Sequence, residues 1–138
     1  MSDGETPNGE TRNPKQIRMT KPEPERVFDL EERTAKFGEA VIRLCKSVGL
    51  TAVTDPLVRQ LVRSGTSVGA NYAEADDCDS RKDSRFKIGL CRREARESKH
   101  WLRMLAVAHE PAADDARRLW REAHELNLIF GSIRRALN

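Results

Sequence analysis

The chain has 138 residues, of which 38% are apolar and 34% are charged, and its formal net charge is +3. This length corresponds to one ordinary domain, and the apolar share is large enough to bury one core. The sequence lacks the run of about 18 uncharged apolar residues that a membrane span needs, and it lacks the apolar segment of a signal peptide, so we expect a cytoplasmic protein without a membrane partner.

The segment over residues 1–26 differs in composition from the rest of the chain. It holds four of the six prolines and almost no large apolar side chains. A segment of this kind cannot bury enough surface to offset the entropy lost on ordering. We therefore predict a disordered tail over residues 1–26 and a single folded domain over residues 27–138. The tail is interpreted as a leader or linker, and alternatively as an arm that orders on a partner.

The first two predicted helices follow from apolar residues spaced three and four apart. In the first helix, which Gly49 ends, the apolar face consists of Leu30, Thr34, Phe37, Val41, Leu44 and Val48. The second helix is predicted to begin at Thr54-Asp55-Pro56, where an oxygen-bearing cap precedes a proline. One of its two stripes is Leu57, Leu61, Ser64, Val68, Tyr72 and Ala75, and the other is Val58, Val62, Gly65 and Gly69. A helix with two such stripes is covered on two sides.

The third helix is predicted to be capped by Asp79 or Ser80 and to run to about Ala108, before the break at Glu110-Pro111. The fourth helix has an uninterrupted stripe of Ala116, Leu119, Ala123, Leu126, Phe130, Ile133 and Leu137. No segment alternates with the period of a half-buried strand. Short links between long amphipathic helices favour antiparallel neighbours, so the predicted fold is an all-α, antiparallel, up-down four-helix bundle.

The third predicted helix carries a row of cations that we name the basic ridge. Its members fall within a sector of roughly 60° that holds no carboxylate: Arg81, Arg85, Arg92, Arg96, Lys99 and Arg103. Because like charges repel, such a row predicts an anionic partner, and guanidinium groups suit the phosphates of RNA or DNA. The alternative is a solvated face, or one paired with acids such as Asp76, Asp77 and Asp79 on another helix or subunit.

Glu94 and Glu97 are predicted on the apolar side of the same helix, where a carboxylate needs a partner. The candidate partners are Arg63, Arg93, Asn71 and Tyr72. We interpret the two carboxylates as a structural network that fixes the register of the helices. Glu97-x-x-His100 also suggests a metal site, but di-iron bundles need a second such pair and two more carboxylates. We therefore expect no metal and no cofactor, and the three cysteines, which form no CxxC pair, are expected to be reduced thiols.

The stretch Gly65-Thr66-Ser67-Val68-Gly69 matches the Gly-x-Ser-x-Gly pattern of hydrolases. In those enzymes the serine follows a strand at a strained turn, whereas the residues before Gly65 have a helical period. The small side chains favour a helix that another backbone approaches closely, at a cost of about 1 kcal/mol for each glycine. We expect this second stripe to face another subunit.

Three stretches of the sequence match a known family: Arg63 to Ala75 (RSGTSVGANYAEA), Phe28-Asp29-Leu30, and Glu94 to Glu97 leading to Trp101-Leu102. They resemble the four-helix bundle family named for proteins encoded in 23S ribosomal RNA intervening sequences. The resemblance covers roughly residues 27–138. It implies a bundle that assembles into a ring-like homopentamer, without enzyme activity or cofactor. Its motif positions look architectural, and they are Gly65, Gly69, Asn71, Tyr72, Glu74, Glu94 and Glu97.

A distant branch of that family serves diversity-generating retroelements as an accessory to reverse transcriptase and binds nucleic acid through a basic surface. The sequence therefore leads us to expect a non-enzymatic, homo-oligomeric bundle that binds RNA or DNA through the basic ridge, beside a protein partner. The alternative is a structural or protein-interaction oligomer without a nucleic-acid role.

Overall fold

The computed structural model describes residues 29–138, and the tail predicted over residues 1–26 lies outside the described residues. The described part is all-helical and contains no strand. Its helices are α1 (Leu30–Lys46), α2 (Thr54–Asp76), α3 (Arg81–Ala108) and α4 (Ala113–Ala136), and a short 3₁₀ turn (Glu110–Ala112) precedes α4. The helical prediction is confirmed.

Side-chain contacts between the helices show that neighbours are antiparallel. Along α2 and α3, Ser64 meets Ser98 near the middle of α2, and Glu74 meets Lys87 near the C-terminal end of α2. The residue numbers rise along one helix as they fall along its neighbour. α3 packs against both α2 and α4, whereas α1 packs on α2 and makes a smaller contact with α4. The arrangement is that of an up-down four-helix bundle.

The helix starts have side-chain caps that the sequence predicted in part. Asp29 accepts the backbone N–H of Glu32 at the start of α1, and Ser80 accepts that of Asp83 at the start of α3. At the start of α2 the structure differs from the prediction, because Thr51 rather than Thr54 accepts the helix N–H groups. Thr54 is already helical, and its hydroxyl donates to the carbonyl of Gly49. α1 ends at Lys46, three residues before Gly49.

The predicted apolar stripes form the core. Every predicted residue of the α1 stripe is buried, and the α4 stripe is buried except at Leu119 and Leu137, which are half-buried. The centre of α3 is fully covered, with 0% exposure at Ile88, Cys91, Ala95, Leu102 and Leu105. Tyr72 of α2 packs against Phe130 of α4, with 5.9 Å between the ring centroids.

The Gly-x-Ser-x-Gly stretch lies inside α2, which confirms the helical interpretation. The hydroxyl of Ser67 donates to the backbone carbonyl of Arg63, 2.6 Å away, as serines in helices often do. This serine therefore stands on regular helical backbone and not on a strand-to-helix turn.

The two glycines of that stretch let α1 and α2 approach closely. A Cβ atom at Gly65 would lie 2.9 Å from Cγ2 of Val41, and one at Gly69 would lie 3.2 Å from Oγ1 of Thr34. Both contacts are made by α1 of the same chain. This corrects the expectation that Gly65 faces another subunit, because α1 already occupies the position beside it, whereas Gly69 also borders an open groove between α1 and α2.

The close approach predicts opposite effects for the same substitution at two glycines. Gly65→Ala should lower the free energy of unfolding by about 1 to 2 kcal/mol, because the added methyl overlaps the stiff, fully buried Val41. Gly38→Ala should raise it by about 0.5 kcal/mol, because its nearest neighbours are at 3.6 Å and alanine favours the helix. Urea unfolding of both variants checks this, and equal effects of one sign would contradict the packing.

Candidate nucleic-acid interface

The basic ridge lies along the side of α3 that borders α4. Arg81, Arg96 and Arg103 are exposed, whereas Arg85, Arg92 and Lys99 are half-buried. From the first to the last of the six residues, α3 advances by about 33 Å at 1.5 Å per residue. The long helix therefore holds the six cations in a nearly straight row.

α4 adds cations to the same surface. Arg135 of α4 and Arg92 of α3 meet over Gly131. The Nη1 atom of Arg135 and the Cδ atom of Arg92 each lie 3.5 Å from the position that a Cβ atom would take at Gly131. Arg134 similarly covers Gly89 of α3. We name the basic ridge together with four arginines of α4 the α3–α4 basic face. The four are Arg117, Arg121, Arg134 and Arg135.

The α4 arginines were not among the cations predicted from the sequence to bind an anion. Their signal was present, because Arg117, Arg121 and Arg135 recur on one side of the helix, beside the core stripe. That side becomes part of the ridge only when α3 and α4 are known to be antiparallel neighbours. Glu122 and Glu125 of α4 have a different position, since both accept from Arg33 of α1, whereas the exposed Asp114 borders the face and forms an ion pair with Arg117.

Two ridge cations have partners within the chain. The guanidinium of Arg81 donates to the carbonyls of Leu137 and Ala136, 3.2 and 3.0 Å away, at the negative end of the α4 dipole. The ammonium of Lys99 lies 3.0 Å from Nδ1 of His124 and 5.0 Å from the ring centroid of Trp120, in a cation–π contact. These contacts fix both side chains without neutralising their charge.

The other four ridge side chains are available to an anion. Within residues 29–138, the guanidinium groups of Arg85, Arg92, Arg96 and Arg103 make no hydrogen bond and no salt bridge. No ridge residue pairs with an acid of the same chain in this part. The pairing with Asp76, Asp77 or Asp79 therefore remains a prediction about contacts between subunits.

Glu94 and Glu97 lie on the opposite flank of α3, where α2 packs. Both accept from the guanidinium of Arg63, and Glu97 also accepts from the indole N–H of Trp101 at 2.9 Å. Their side chains are 21% and 38% exposed, so both are half-buried, and they pair with Arg63, which was among the predicted partners. The Trp101 hydrogen bond, and then Arg63, hold the pKa of Glu97 below its usual value against the opposing effect of partial burial.

The remaining motif residues stabilise α2 and its contact with α3. The side-chain amide of Asn71 donates to the carbonyl of Ser67, and Glu74 accepts from Lys87 of α3. Deeper in the same seam, the hydroxyls of Ser64 and Ser98 lie 2.9 Å apart and are fully buried. This buried pair was not predicted, because nothing in the sequence indicates that two serines on different helices are in contact.

A cavity of about 660 Å³ opens at the end of the α3–α4 basic face. It lies between the C-terminal part of α3 and the N-terminal part of α4. Its walls combine aliphatic side chains, the indole of Trp120 and three guanidinium groups, and they consist of Leu102, Arg103, Ala106, Val107, Ala116, Arg117, Trp120 and Arg121.

The structure also bears on the cysteines, on metal binding and on membrane spans. Burial raises the pKa of the Cys45 thiol to about 11 and that of Cys91 to about 12, so both thiols are protonated at neutral pH. Residues 29–138 contain no cluster of three or more His, Cys, Asp and Glu side chains that could hold a metal ion. None of the four helices is both long and apolar enough to cross a membrane.

The family model for the 23S rRNA-intervening sequence protein matches residues 28–131. The chain belongs to the 23S rRNA-intervening sequence protein family. A similar solved structure is that of a protein with unknown function from the S23 ribosomal protein family of Bacteroides thetaiotaomicron. The two are 27% identical, and the match covers 75% of this chain and 96% of the other with a TM-score of 0.65. No curated protein matches the chain.

The Glu97 contacts predict a pH-dependent contribution to stability. Glu97→Gln should lower the free energy of unfolding near pH 7 by about 1 kcal/mol or less, because the ion pair is partly exposed and screened by solvent. The folded-state pKa of Glu97 is below its ordinary value of 4.5. The contribution is therefore present above that value and is lost as the pH falls through the folded-state pKa.

Urea unfolding of the wild type and the Glu97→Gln variant from about pH 7 to about pH 3 measures this contribution. The difference between the two proteins should shrink as the carboxylate is protonated. A difference that keeps its size at the lowest pH would show that the charge of Glu97 is not its source.

Proposed function

We propose that this protein is a non-enzymatic, homo-oligomeric bundle that binds RNA or DNA through the α3–α4 basic face. The observation that carries the proposal is the segregation of charge around α3. Carboxylates lie on the α2 flank and are paired, whereas cations lie on the α4 flank and are mostly unpaired within the described chain. A surface of one sign attracts a polyanion and raises its rate of association.

The dimensions of the face suit a phosphate backbone. The ridge extends for about 33 Å, which is close to the length of one turn of B-form DNA, about 34 Å. Guanidinium groups form bidentate hydrogen bonds with phosphate oxygens, and five of the six ridge residues are arginines. Contacts of this kind position a nucleic acid without reading its bases, so binding should depend weakly on sequence and steeply on salt.

Self-assembly is part of the proposal, and the family resemblance suggests a pentamer. A shallow groove between α1 and α2 supports it, because the groove is lined by the backbone of Gly38 and by the exposed side chains of Thr66, Ala70 and Ile42. A second copy would cover this groove. The proposal includes an accessory role beside a protein partner such as a reverse transcriptase, since the basic face supplies binding rather than chemistry.

The test compares two variants that have the same net charge. One neutralises the ridge with Arg85→Gln, Arg92→Gln and Arg96→Gln. The other carries Lys36→Gln, Arg43→Gln and Arg59→Gln. These three residues are exposed on α1 and α2 and take part only in surface ion pairs. Each variant loses three positive charges, so the formal net charge falls from +3 to 0 in both.

Binding to a short duplex is measured by fluorescence anisotropy at several salt concentrations, with the oligomeric state checked for each protein. The ridge variant should lose about tenfold or more in affinity, and its slope of log K against log salt should become less steep by about 2.7. The control variant should bind as the wild type does. Equal losses in the two variants would show that net charge alone drives binding, and the ridge would not be the site.

The alternative is a structural or protein-interaction oligomer, and the internal contacts of Arg81 and Lys99 favour it, because they give two ridge cations a role in packing α3 on α4. Absence of binding at low salt would support this alternative and overturn the nucleic-acid proposal.

A further inference from the structure

The cavity at the end of the α3–α4 basic face has the size and chemistry of a small-molecule site. Its volume of about 660 Å³ falls within the usual range of about 300 to 1,000 Å³ for ligand pockets. Its accessible apolar surface comes from Ala106 and Trp120, which are half-buried, and from Val107, which is exposed. An apolar ligand of modest size would cover these surfaces and release water from them.

Cations surround this apolar surface. Arg103 comes from α3, and Arg117 and Arg121 come from α4, and none of the residues that line the cavity is an acid. Asp114 lies 3.5 Å from Arg117, but its side chain is 96% exposed, so this ion pair is weak and easily exchanged. The cavity therefore fits a ligand that has an apolar part and an adjacent anionic group.

Trp120 is held in place before any ligand binds. Its ring stacks on that of His124 with 5.2 Å between centroids and an angle of 14°, and the ammonium of Lys99 lies above the ring. A ring that is already fixed loses little conformational entropy when a second ring packs on it. Aromatic side chains beside arginines are the combination by which proteins hold single-stranded nucleic acid, with bases on the rings and phosphates on the cations.

We propose that this cavity binds one unpaired nucleobase of a single-stranded RNA or DNA segment, against Trp120, while Arg103, Arg117 and Arg121 bind the flanking phosphates. This inference rests on the proposed function and adds to it a preference for strands with accessible bases. Bases within a duplex are stacked on their neighbours and cannot enter the cavity. The ridge binds either form, because phosphates are present in both.

The two tryptophans of the chain allow a direct observation. Trp101 lies on the α2 flank, where it donates to Glu97, so Trp101→Phe leaves Trp120 as the single tryptophan. This variant is titrated with a short single strand, with an abasic strand of the same length and charge, and with a blunt duplex. We expect the normal strand to quench the emission of Trp120 and to bind about tenfold tighter than the abasic strand. The duplex should bind without quenching.

Two further variants separate base binding from folding. Trp120→Leu should reduce the affinity for the normal strand to that for the abasic strand, as measured by anisotropy. Trp101→Leu, the same substitution on the other flank, should leave the difference between the two strands unchanged. Unchanged circular dichroism of each variant confirms that it is folded.

Equal affinity for normal and abasic strands, with no change in Trp120 emission, would overturn the base-binding inference, while ridge-dependent duplex binding would leave the proposed function intact. Failure of every strand and duplex to bind would overturn both. If the emission of Trp120 changed with protein concentration but not on addition of nucleic acid, a second copy of the chain would occupy the cavity. That result would also overturn the inference.

Discussion

The buried stripe of α3 is the constraint on which the rest of this structure depends, because α3 packs against α2 on one side and α4 on the other. Residues such as Ile88, Ala95 and Leu102 are fully covered, so the rotation of α3 about its own axis is fixed. Once that rotation is fixed, the polar residues on either flank of the stripe have fixed neighbours. Packing therefore decides where the charges of the helix lie.

The two flanks use charge differently. On the α2 flank, Glu97 and Glu94 pair with Arg63, and Lys87 pairs with Glu74, so charge there joins helices within the bundle. On the α4 flank, cations of α3 lie beside cations of α4, and the contact of Arg81 with the C-terminal carbonyls of α4 and the exposed Arg117–Asp114 ion pair offset part of the repulsion. Like charges held together by a core destabilise the free protein somewhat, and a bound polyanion would relieve that repulsion.

Much of the fold was predictable because it rests on periodic patterns along single helices. The apolar faces, the cap at Ser80 and the row of ridge cations are each properties of one segment. What the sequence did not show depends on contacts between segments. Gly65 was expected to face another subunit because nothing in α2 alone identifies Val41 as its neighbour. The buried Ser64–Ser98 contact and the contribution of Arg121 to the basic face were missed for the same reason.

The ion pairs between α1 and α4 have a consequence for how the bundle opens. Arg33 bridges Glu122 and Glu125 across a seam where the two helices otherwise make little contact. Local opening begins where buried contacts are fewest, so amide hydrogens of α1 should exchange with solvent before those of α3. Screening by salt weakens partly exposed ion pairs, so higher ionic strength should speed this exchange. α1 is then the helix whose attachment to the other three is most easily adjusted by its surroundings.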